Sequence, residues 1–427
     1  MYYIKNTMLL LGFIAVSLAF FHLSLDNGFW SGYDYVILEN SLMMRSDASA
    51  AFYSGAPFKF QPLIYAVHYL LFRLFLLDAS GYLLFNIVLH GINSFLVYLL
   101  VNTLLRDRTV SALAGLLFVF TIGSYGKSVM AASGLEDLVI TTLSLLTMIL
   151  YFKNELDGDG RTLSVRYVAA LVFFLASMLT RSTSFAILGC FLAFNLFFRR
   201  ERGRPIFHRS FVILLMIAVA AFVVKLTVFR YAPPLYTEYP GAFAFVFLAF
   251  KNVINYLVRM IFPIHTSYLV TRAGPAVRFV YRFATEIRIL IALTVVSYSF
   301  FGFVFGNRTI RFFIAWTYIM VLPFAFFQFP ADWLNMRHLY LVSVGFVSVI
   351  AAGAVYCSRL IARNRWRRYV PFLVPLAFIA LSRFIILQLD SSYEHRAESE
   401  SMKAYRRVLA EKYPDLLIED GRLIIPK

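Results

Sequence analysis

Ionisable residues stand at the ends of apolar runs at three places in this chain. In GYDYVILEN, Gly32–Asn40, Asp34 sits among aromatic and aliphatic neighbours and Glu39 follows shortly after. In GLED, Gly134–Asp137, two adjacent carboxylates, Glu136 and Asp137, open an apolar run. In PADWLNMRH, Pro330–His338, Arg337 and His338 directly precede another. Charged groups this close to hydrocarbon are costly and usually face an interior cavity. Their chemistry is complementary. A carboxylate takes the proton of an acceptor hydroxyl. A guanidinium holds a leaving phosphate through two parallel hydrogen bonds, and a fixed cation stabilises the charge that develops on it. Together the three stretches suit transfer of a group from a lipid-borne phosphate at a membrane surface. Taken singly, each acid also reads as an ordinary solvated loop residue.

Composition sets the frame for that chemistry. The chain has 427 residues, of which 60% are hydrophobic and 15% charged, with 46 Phe and a net charge of +17; its mean hydropathy is +0.73. Soluble proteins are nearer 45–50% apolar, so a polytopic membrane protein is expected. Nucleic-acid binding is set aside, because the basic residues lie between apolar runs, where the positive-inside rule accounts for them. Cys190 and Cys357 form neither a disulfide framework nor a paired metal motif. The first apolar run, about Met8 to Leu25, is followed by Asp26 and Asn27 rather than by a small-residue cleavage site, which reads as an uncleaved anchor.

The elements that must position the three stretches are membrane helices. Apolar runs long enough to cross begin near residues 8, 81, 109, 137, 167, 185, 211, 287, 312, 338 and 370, giving about eleven spans. Basic clusters occupy alternate loops: Arg106 and Arg108; Lys153, Arg161 and Arg166; Arg199–Arg209; Arg308 and Arg311; Ser358–Arg368. That side, with the N-terminus, is expected to be cytoplasmic, which puts all three acid- and arginine-bearing stretches on the other side. Outward segments are then a first loop, 26–80, and a large loop, 230–286. Two helices are expected to lie on the membrane surface: the short Pro62–Leu77, and Phe243–Phe262, which carries Lys251, Asn252, Asn255 and Arg259. A transmembrane domain over 1–387 is followed by a charged extracytoplasmic tail, 388–427, with strand-like runs near its end.

Several of these segments resemble the GT-C membrane glycosyltransferases, in particular bacterial relatives of the O-mannosyltransferases that carry tetratricopeptide repeats. FWSGYDYVILEN, Phe29–Asn40, is similar to the acidic first-loop motif of that family. Gln61, Pro62 and Leu63 resemble its "Y-R-P-L" helix start, and Gly81, Tyr82, Asn86, His90 and Asn93 its "G-Y-x-x-x-N-x-x-x-H-x-x-N" second span. SGLEDLV, Ser133–Val139, is similar to the "G-R-x-D-L" turn, and NMRHLYLVSVGF, Asn335–Phe346, to "E-R-Y-L-Y-L-P-S-V-G-F". The chain departs where the family has "H-P-x-H-x-E" (IGSYGK, Ile122–Lys127, here), at Leu135 in place of an arginine, at Arg181–Thr183 in place of "K-E", and at Met336 in place of a glutamate. The repeat domain is absent from the expected architecture.

The resemblance implies an all-α polytopic fold of GT-C type with an active site on the outer face, a polyprenyl-phosphate sugar as donor and inversion at the anomeric carbon. Carried over by position, Asp34 is the catalytic acid position, with Asp137 and Glu136 as further acids. Arg337 binds the donor phosphate, with Tyr340 beside it. His338 has no family counterpart and is a candidate by its place next to Arg337, and Glu39, Lys59 and Arg259 are accessory candidates by their outward position. Asn86, His90 and Asn93, four and three apart on one helix face, read as hydrogen-bond links between helices. No cofactor is implied with certainty; a divalent metal is allowed by the chemistry and not indicated by the residues. The expected partners are the lipid-linked sugar, an acceptor protein, lipid or glycan, and membrane lipids. The expected location is the bacterial inner membrane, with the N-terminus cytoplasmic and the C-terminus periplasmic. Two rival readings are an envelope-polysaccharide polymerase or ligase using lipid-diphosphate glycans, for which the arginines of 230–286 speak, and a lipid or solute transporter, which would show internal repeats.

Overall fold

A computed structural model of the chain describes residues 2–29, 32–52, 60–121, 128–157, 164–227, 242–261, 282–325, 336–361, most of 369–383, and short pieces of 407–424. Helices dominate these residues. In chain order they are α1 (Tyr2–Phe21), α2 (Gly32–Ser46), α3 (Pro62–Phe75), α4 (Ala79–Leu105), α5 (Arg108–Val119), α6 (Leu135–Asp157), α7 (Val165–Met178), α8 (Ile187–Phe194), α9 (Arg209–Thr227), α10 (Ala242–Ile261), α11 (Ala284–Phe305), α12 (Arg308–Ala325) and α13 (Leu339–Ile361). A further apolar helical run covers Pro371–Leu381. In the tail, β1 (Leu417–Glu419) and β2 (Arg422–Ile424) pair antiparallel with Leu417 opposite Ile424, which is where the strand-like runs were expected.

Seven helical segments among the described residues are long and apolar enough to cross a membrane: Asn6–Asp26, Ala79–Leu105, Ala132–Asp157, Thr183–Arg202, Arg209–Thr227, Thr285–Phe305 and Leu339–Leu360. The protein is a multi-pass membrane protein. Helices also stand at the other four expected positions. α5, α7 and Pro371–Leu381 are shorter, with 12, 14 and 11 residues, while α12 carries Arg308, Arg311 and Pro323. Among the described residues, seven of the eleven expected positions thus have the length and composition of a crossing. α11 shows what solvent these helices face: Ile289, Leu290, Leu293, Phe300, Phe301 and Phe305 all stand exposed on it. An apolar surface of that extent suits a lipid environment.

Local chemistry sets the helix ends. Asp107 caps α5 by accepting from Thr109 N (3.1 Å) and Val110 N (3.2 Å), and its other oxygen accepts from Arg359 at the end of α13 (2.7 Å). Arg106 takes a left-handed conformation, φ 55°, that stops α4 and turns the chain back along it. Asp78 caps α4 in the same way as Asp107 caps α5, through Ser80 N at 3.0 Å.

Glycine lets two helix pairs approach closely. A Cβ on Gly91 of α4 would lie 2.7 Å from the Ile14 Cα of α1, and one on Gly345 of α13 would lie 2.5 Å from the Phe313 carbonyl oxygen of α12. Both obstacles are backbone, so neither helix can yield without moving as a whole. Gly345→Ala is expected to destabilise the protein by about 1–3 kcal/mol, seen as a lower thermal midpoint in detergent. An unchanged midpoint would show that α12 and α13 separate freely.

The two ends of the bundle differ in charge. The basic clusters gather at one end, where Arg106 and Arg166 approach Asp157, Arg308 approaches Glu201 and Arg199 pairs with the buried Glu155. Glu155 also meets His208 Nε2 at 3.2 Å. The three acid- and arginine-bearing stretches meet at the opposite end.

Candidate active site: a carboxylate and guanidinium cluster

The GYDYVILEN stretch forms the first two turns of α2, where an acid in the first turn is favoured by the helix dipole. Asp34 is 1% exposed. Its Oδ1 accepts from Ser133 N at 2.8 Å, so α2 is tied to the short turn Ala132–Gly134 that leads into α6. Glu136 and Asp137 occupy the first turn of α6 and are buried at 1% and 4% exposure.

Two arginines from distant parts of the chain close on this acidic pair. Arg181, just after α7, places Nε 3.2 Å from Glu136 Oε1 and donates through Nη1 to Asp137 Oδ1 at 2.7 Å. Arg337, in the turn before α13, donates through Nη2 to Glu136 Oε2 at 3.2 Å and places Nε 3.5 Å from Asp137 Oδ2. Each arginine thus bridges both acids. Gln61, at the start of α3, donates to Glu136 Oε1 at 2.7 Å and accepts at 3.4 Å from the Tyr33 hydroxyl of α2. The start of α3 is itself held by Leu63 N donating to the Leu179 carbonyl, 3.3 Å away at the end of α7. A cavity of about 20 Å³ lies beside the cluster, lined by Asp137, Thr141, Arg181, Arg337, His338 and Tyr340 among others. It has room for about one water.

Buried charges of both signs compensate one another here. Burial alone would lower the basicity of Arg337, but the Asp137 and Glu136 carboxylates hold its pKa above the ordinary arginine value. Burial raises the Tyr33 phenol, and Glu136 raises it further, so it serves as a neutral donor. His338 is pushed well below the usual histidine range, first by burial and then by Arg181 and Arg337. Its ring stacks on Phe324 with centroids 4.3 Å apart, and its Nδ1 lies 3.1 Å from the Tyr256 hydroxyl of α10. On α3, His68 is fully buried, and among the described residues neither of its ring nitrogens has a hydrogen-bond partner. Burial takes it down to about 3, while Glu136 pulls the other way.

These two imidazoles give the protein a pH dependence with a definite sign. In the folded chain they are neutral, whereas in the unfolded chain they take up protons below about 6.5. The unfolded state therefore binds more protons, so stability is fully present above about 6.5 and is lost as pH falls toward the folded values, with up to about 1.4 kcal/mol per pH unit for each group. The thermal midpoint of the wild type is expected to fall between about pH 7 and pH 5, and to fall less in a His68→Asn, His338→Asn double variant. Equal falls in the two proteins would contradict this assignment.

The other expected site residues have the following surroundings. Tyr340 turns into the helix core, its hydroxyl 2.6 Å from His90 Nδ1 and 3.3 Å from the Asn93 amide nitrogen. Asn93 also donates to the Leu138 carbonyl at 3.0 Å, and Asn86 to the Ala131 carbonyl at 2.8 Å. The second-span motif thus joins α4 to α6 and α13. Glu39 stands farther along α2, partly buried. Arg259 is on α10, close enough to Tyr256 to act on it electrostatically. Lys59, like Ile122–Lys127, lies outside the described residues. Arg181 and Gln61, by contrast, are full members of the cluster although sequence reasoning gave neither a chemical role. Their signal was available, since each is a polar residue at the site end of an apolar helix. Among the described residues, no group of three His, Cys, Asp or Glu side chains could hold a metal ion.

No family model matches the sequence. No curated protein matches it either. Solved structures do. The apo oligosaccharyltransferase of Archaeoglobus fulgidus superposes with a TM-score of 0.54 at 14% identity, covering 97% of this chain and 58% of that one. The same enzyme, AglB, in complex with an inhibitory peptide and a dolichol-phosphate gives 0.52 at 14% identity, covering 96% and 58%. Tethered to an acceptor peptide containing the NVT sequon, it gives 0.52 at 15% identity, again over 96% and 58%. The chain spans a little over half the length of that archaeal protein. Nearly all of this chain therefore follows the membrane fold of that archaeal oligosaccharyltransferase.

Proposed function

We propose that this protein is a membrane glycosyltransferase that moves a sugar from a polyprenyl-phosphate donor to an acceptor hydroxyl on the non-cytoplasmic face. The carrying observation is the convergence of Asp34, Glu136, Asp137, Arg181 and Arg337 at one end of the bundle, opposite the basic clusters. The archaeal neighbour was solved with a dolichol-phosphate, which supports a lipid phosphate as the donor's handle.

In this reading Asp34 accepts the proton as the acceptor oxygen attacks the anomeric carbon. The carbon–oxygen bond to the lipid phosphate breaks, and the phosphate leaves with the electron pair. Attack opposite the leaving group inverts the anomeric centre. Arg337, with Arg181 beside it, faces the phosphate as its charge grows, which is where a fixed cation lowers the barrier most. Glu136 and Asp137 hold both guanidiniums in place, and Gln61, itself meeting the Tyr33 hydroxyl, donates to Glu136. Asp34, whose Oδ1 accepts from the Ser133 amide, is assigned the proton.

The test is transfer of labelled sugar from polyprenyl phosphate by the purified protein in nanodiscs, with peptide, lipid and glycan acceptors offered separately. Transfer from the monophosphate donor supports the proposal. Transfer only from a lipid-diphosphate glycan would favour a polymerase or ligase instead.

A further inference from the structure

Both arginines of the cluster are already engaged with carboxylates. A third buried cation nearby has no such partner among the described residues. Lys225 lies in the last turn of α9 and is 1% exposed. Among the described residues its Nζ has no hydrogen-bond partner. What it does touch is aromatic: the ammonium lies 5.6 Å from the centroid of the Phe60 ring and 5.6 Å from that of Phe185.

Those two rings place it beside the cluster. Phe60 directly precedes Gln61, which donates to Glu136. Phe185 belongs to the turn Ser182–Ala186, which directly follows Arg181, the partner of Glu136 and Asp137. An ammonium taken out of water without an anion is strongly disfavoured, and two ring faces offset only part of that cost. Lysines near helix ends ordinarily extend to the interface and keep the charge wet. Lys225 instead keeps its head covered, next to the place where a phosphate is needed.

We propose that Lys225 is an anion seat for the ligand, donating to a phosphate oxygen of a polyprenyl phosphate between the Phe60 and Phe185 rings. Assigning that phosphate to the sugar donor rests on the proposed function; the seat itself rests on the burial and surroundings of Lys225. The ligand class is a phosphate ester on a long isoprenoid chain, whose tail would lie along the apolar helices while its head meets Lys225. The seat adds to the guanidiniums a cation that need not break an existing ion pair to bind. It also gives a physical reason for keeping a destabilising charge in the fold, since the ligand supplies the missing partner.

The experiment compares wild type, Lys225→Met and Lys225→Arg in phosphatidylcholine nanodiscs, following the thermal midpoint and the binding of added polyprenyl phosphate. Without ligand, Lys225→Met is expected to melt higher than wild type, because a methionine fills the same space without a charge to desolvate. It should bind polyprenyl phosphate at least about tenfold more weakly, while Lys225→Arg stays within about threefold of wild type. Two further arms separate the sources of phosphate. Inorganic phosphate alone, or phosphatidylglycerol in the nanodisc, should give little of the stabilisation seen with polyprenyl phosphate. Should either reproduce it in full and lose it in Lys225→Met, the seat takes free phosphate or bulk headgroups and the donor assignment is overturned. Wild-type binding in Lys225→Met overturns the seat altogether. If Lys225→Met does not fold, Lys225→Arg decides with the midpoint of wild type: no stabilisation of either by polyprenyl phosphate overturns the seat. The two readings fail separately. Lys225-dependent binding without sugar transfer keeps the seat and removes the glycosyltransferase. Transfer with Lys225-independent binding does the reverse.

Discussion

Asp34→Asn should lower sugar transfer by about 10²–10⁴-fold, the range for loss of a general acid or base, while leaving the thermal midpoint close to that of wild type. The separation of the two effects follows from the geometry. The Ser133 amide donates to Oδ1 of Asp34, and an asparagine offers a carbonyl oxygen in the same place. α2 therefore stays tied to the turn that leads into Glu136 and Asp137, and the loss expected falls on proton transfer. Asp34→Ala would remove that tie as well, so its activity loss would mix chemistry with displacement of α2. The measurement is transfer rate at saturating donor together with thermal unfolding of the same preparation. Equal loss of activity and stability in the asparagine variant would make Asp34 a structural cap.

The second large effect is on the ion cluster. Arg337→Met should destabilise the protein by about 3–5 kcal/mol, because removing one partner leaves buried carboxylates under-compensated. Arg337 is 9% exposed, and its two partners are buried more deeply still, so solvent screening does little to soften the loss. Adding Glu136→Gln to that variant should restore part of the stability. Two acids facing one remaining arginine become one, and the amide that replaces the Glu136 carboxylate can still meet Gln61. A coupling of about 1–3 kcal/mol is expected from the double-mutant cycle, read from thermal or denaturant unfolding in detergent. Both variants should be inactive in transfer, since each alters the group that faces the leaving phosphate. Additive losses would show that Arg337 and Glu136 do not share an ion pair.

Much of this arrangement could be read from the residues. The apolar runs and the alternation of basic clusters located the helices and separated two chemically different ends, because charge is excluded from hydrocarbon. That separation put Asp34, Glu136, Asp137 and Arg337 at one end, and the structure joins Arg337 to Glu136 across 201 positions of sequence. Three features were hidden for physical reasons. In the sequence Arg181 reads only as standing where the family has "K-E", and its pairing with Glu136 and Asp137 comes from the way α7 packs back along α6. Tyr340 follows Arg337 by three positions, but Arg337 sits in the turn before α13 and Tyr340 in its first helical turn. The change from turn to helix brings the hydroxyl to His90 and Asn93, while the side chain still lines the cavity beside the cluster. Lys225 draws no reading from the sequence, because a lysine near a helix end ordinarily extends to the interface, and packing against Phe60 and Phe185 shows it covered.

The central claim is that this cluster transfers a sugar from a lipid phosphate, and single-turnover donor consumption tests it most directly. Wild-type protein in nanodiscs would be loaded with labelled polyprenyl-phosphate sugar and an acceptor mixture, and the label still attached to lipid followed with time. The expected result is that label leaves the lipid with wild type and stays on it with Asp34→Asn. The contradicting result is label that stays on the lipid with wild type for every polyprenyl-phosphate sugar tried, or that leaves equally fast in Asp34→Asn and Arg337→Met.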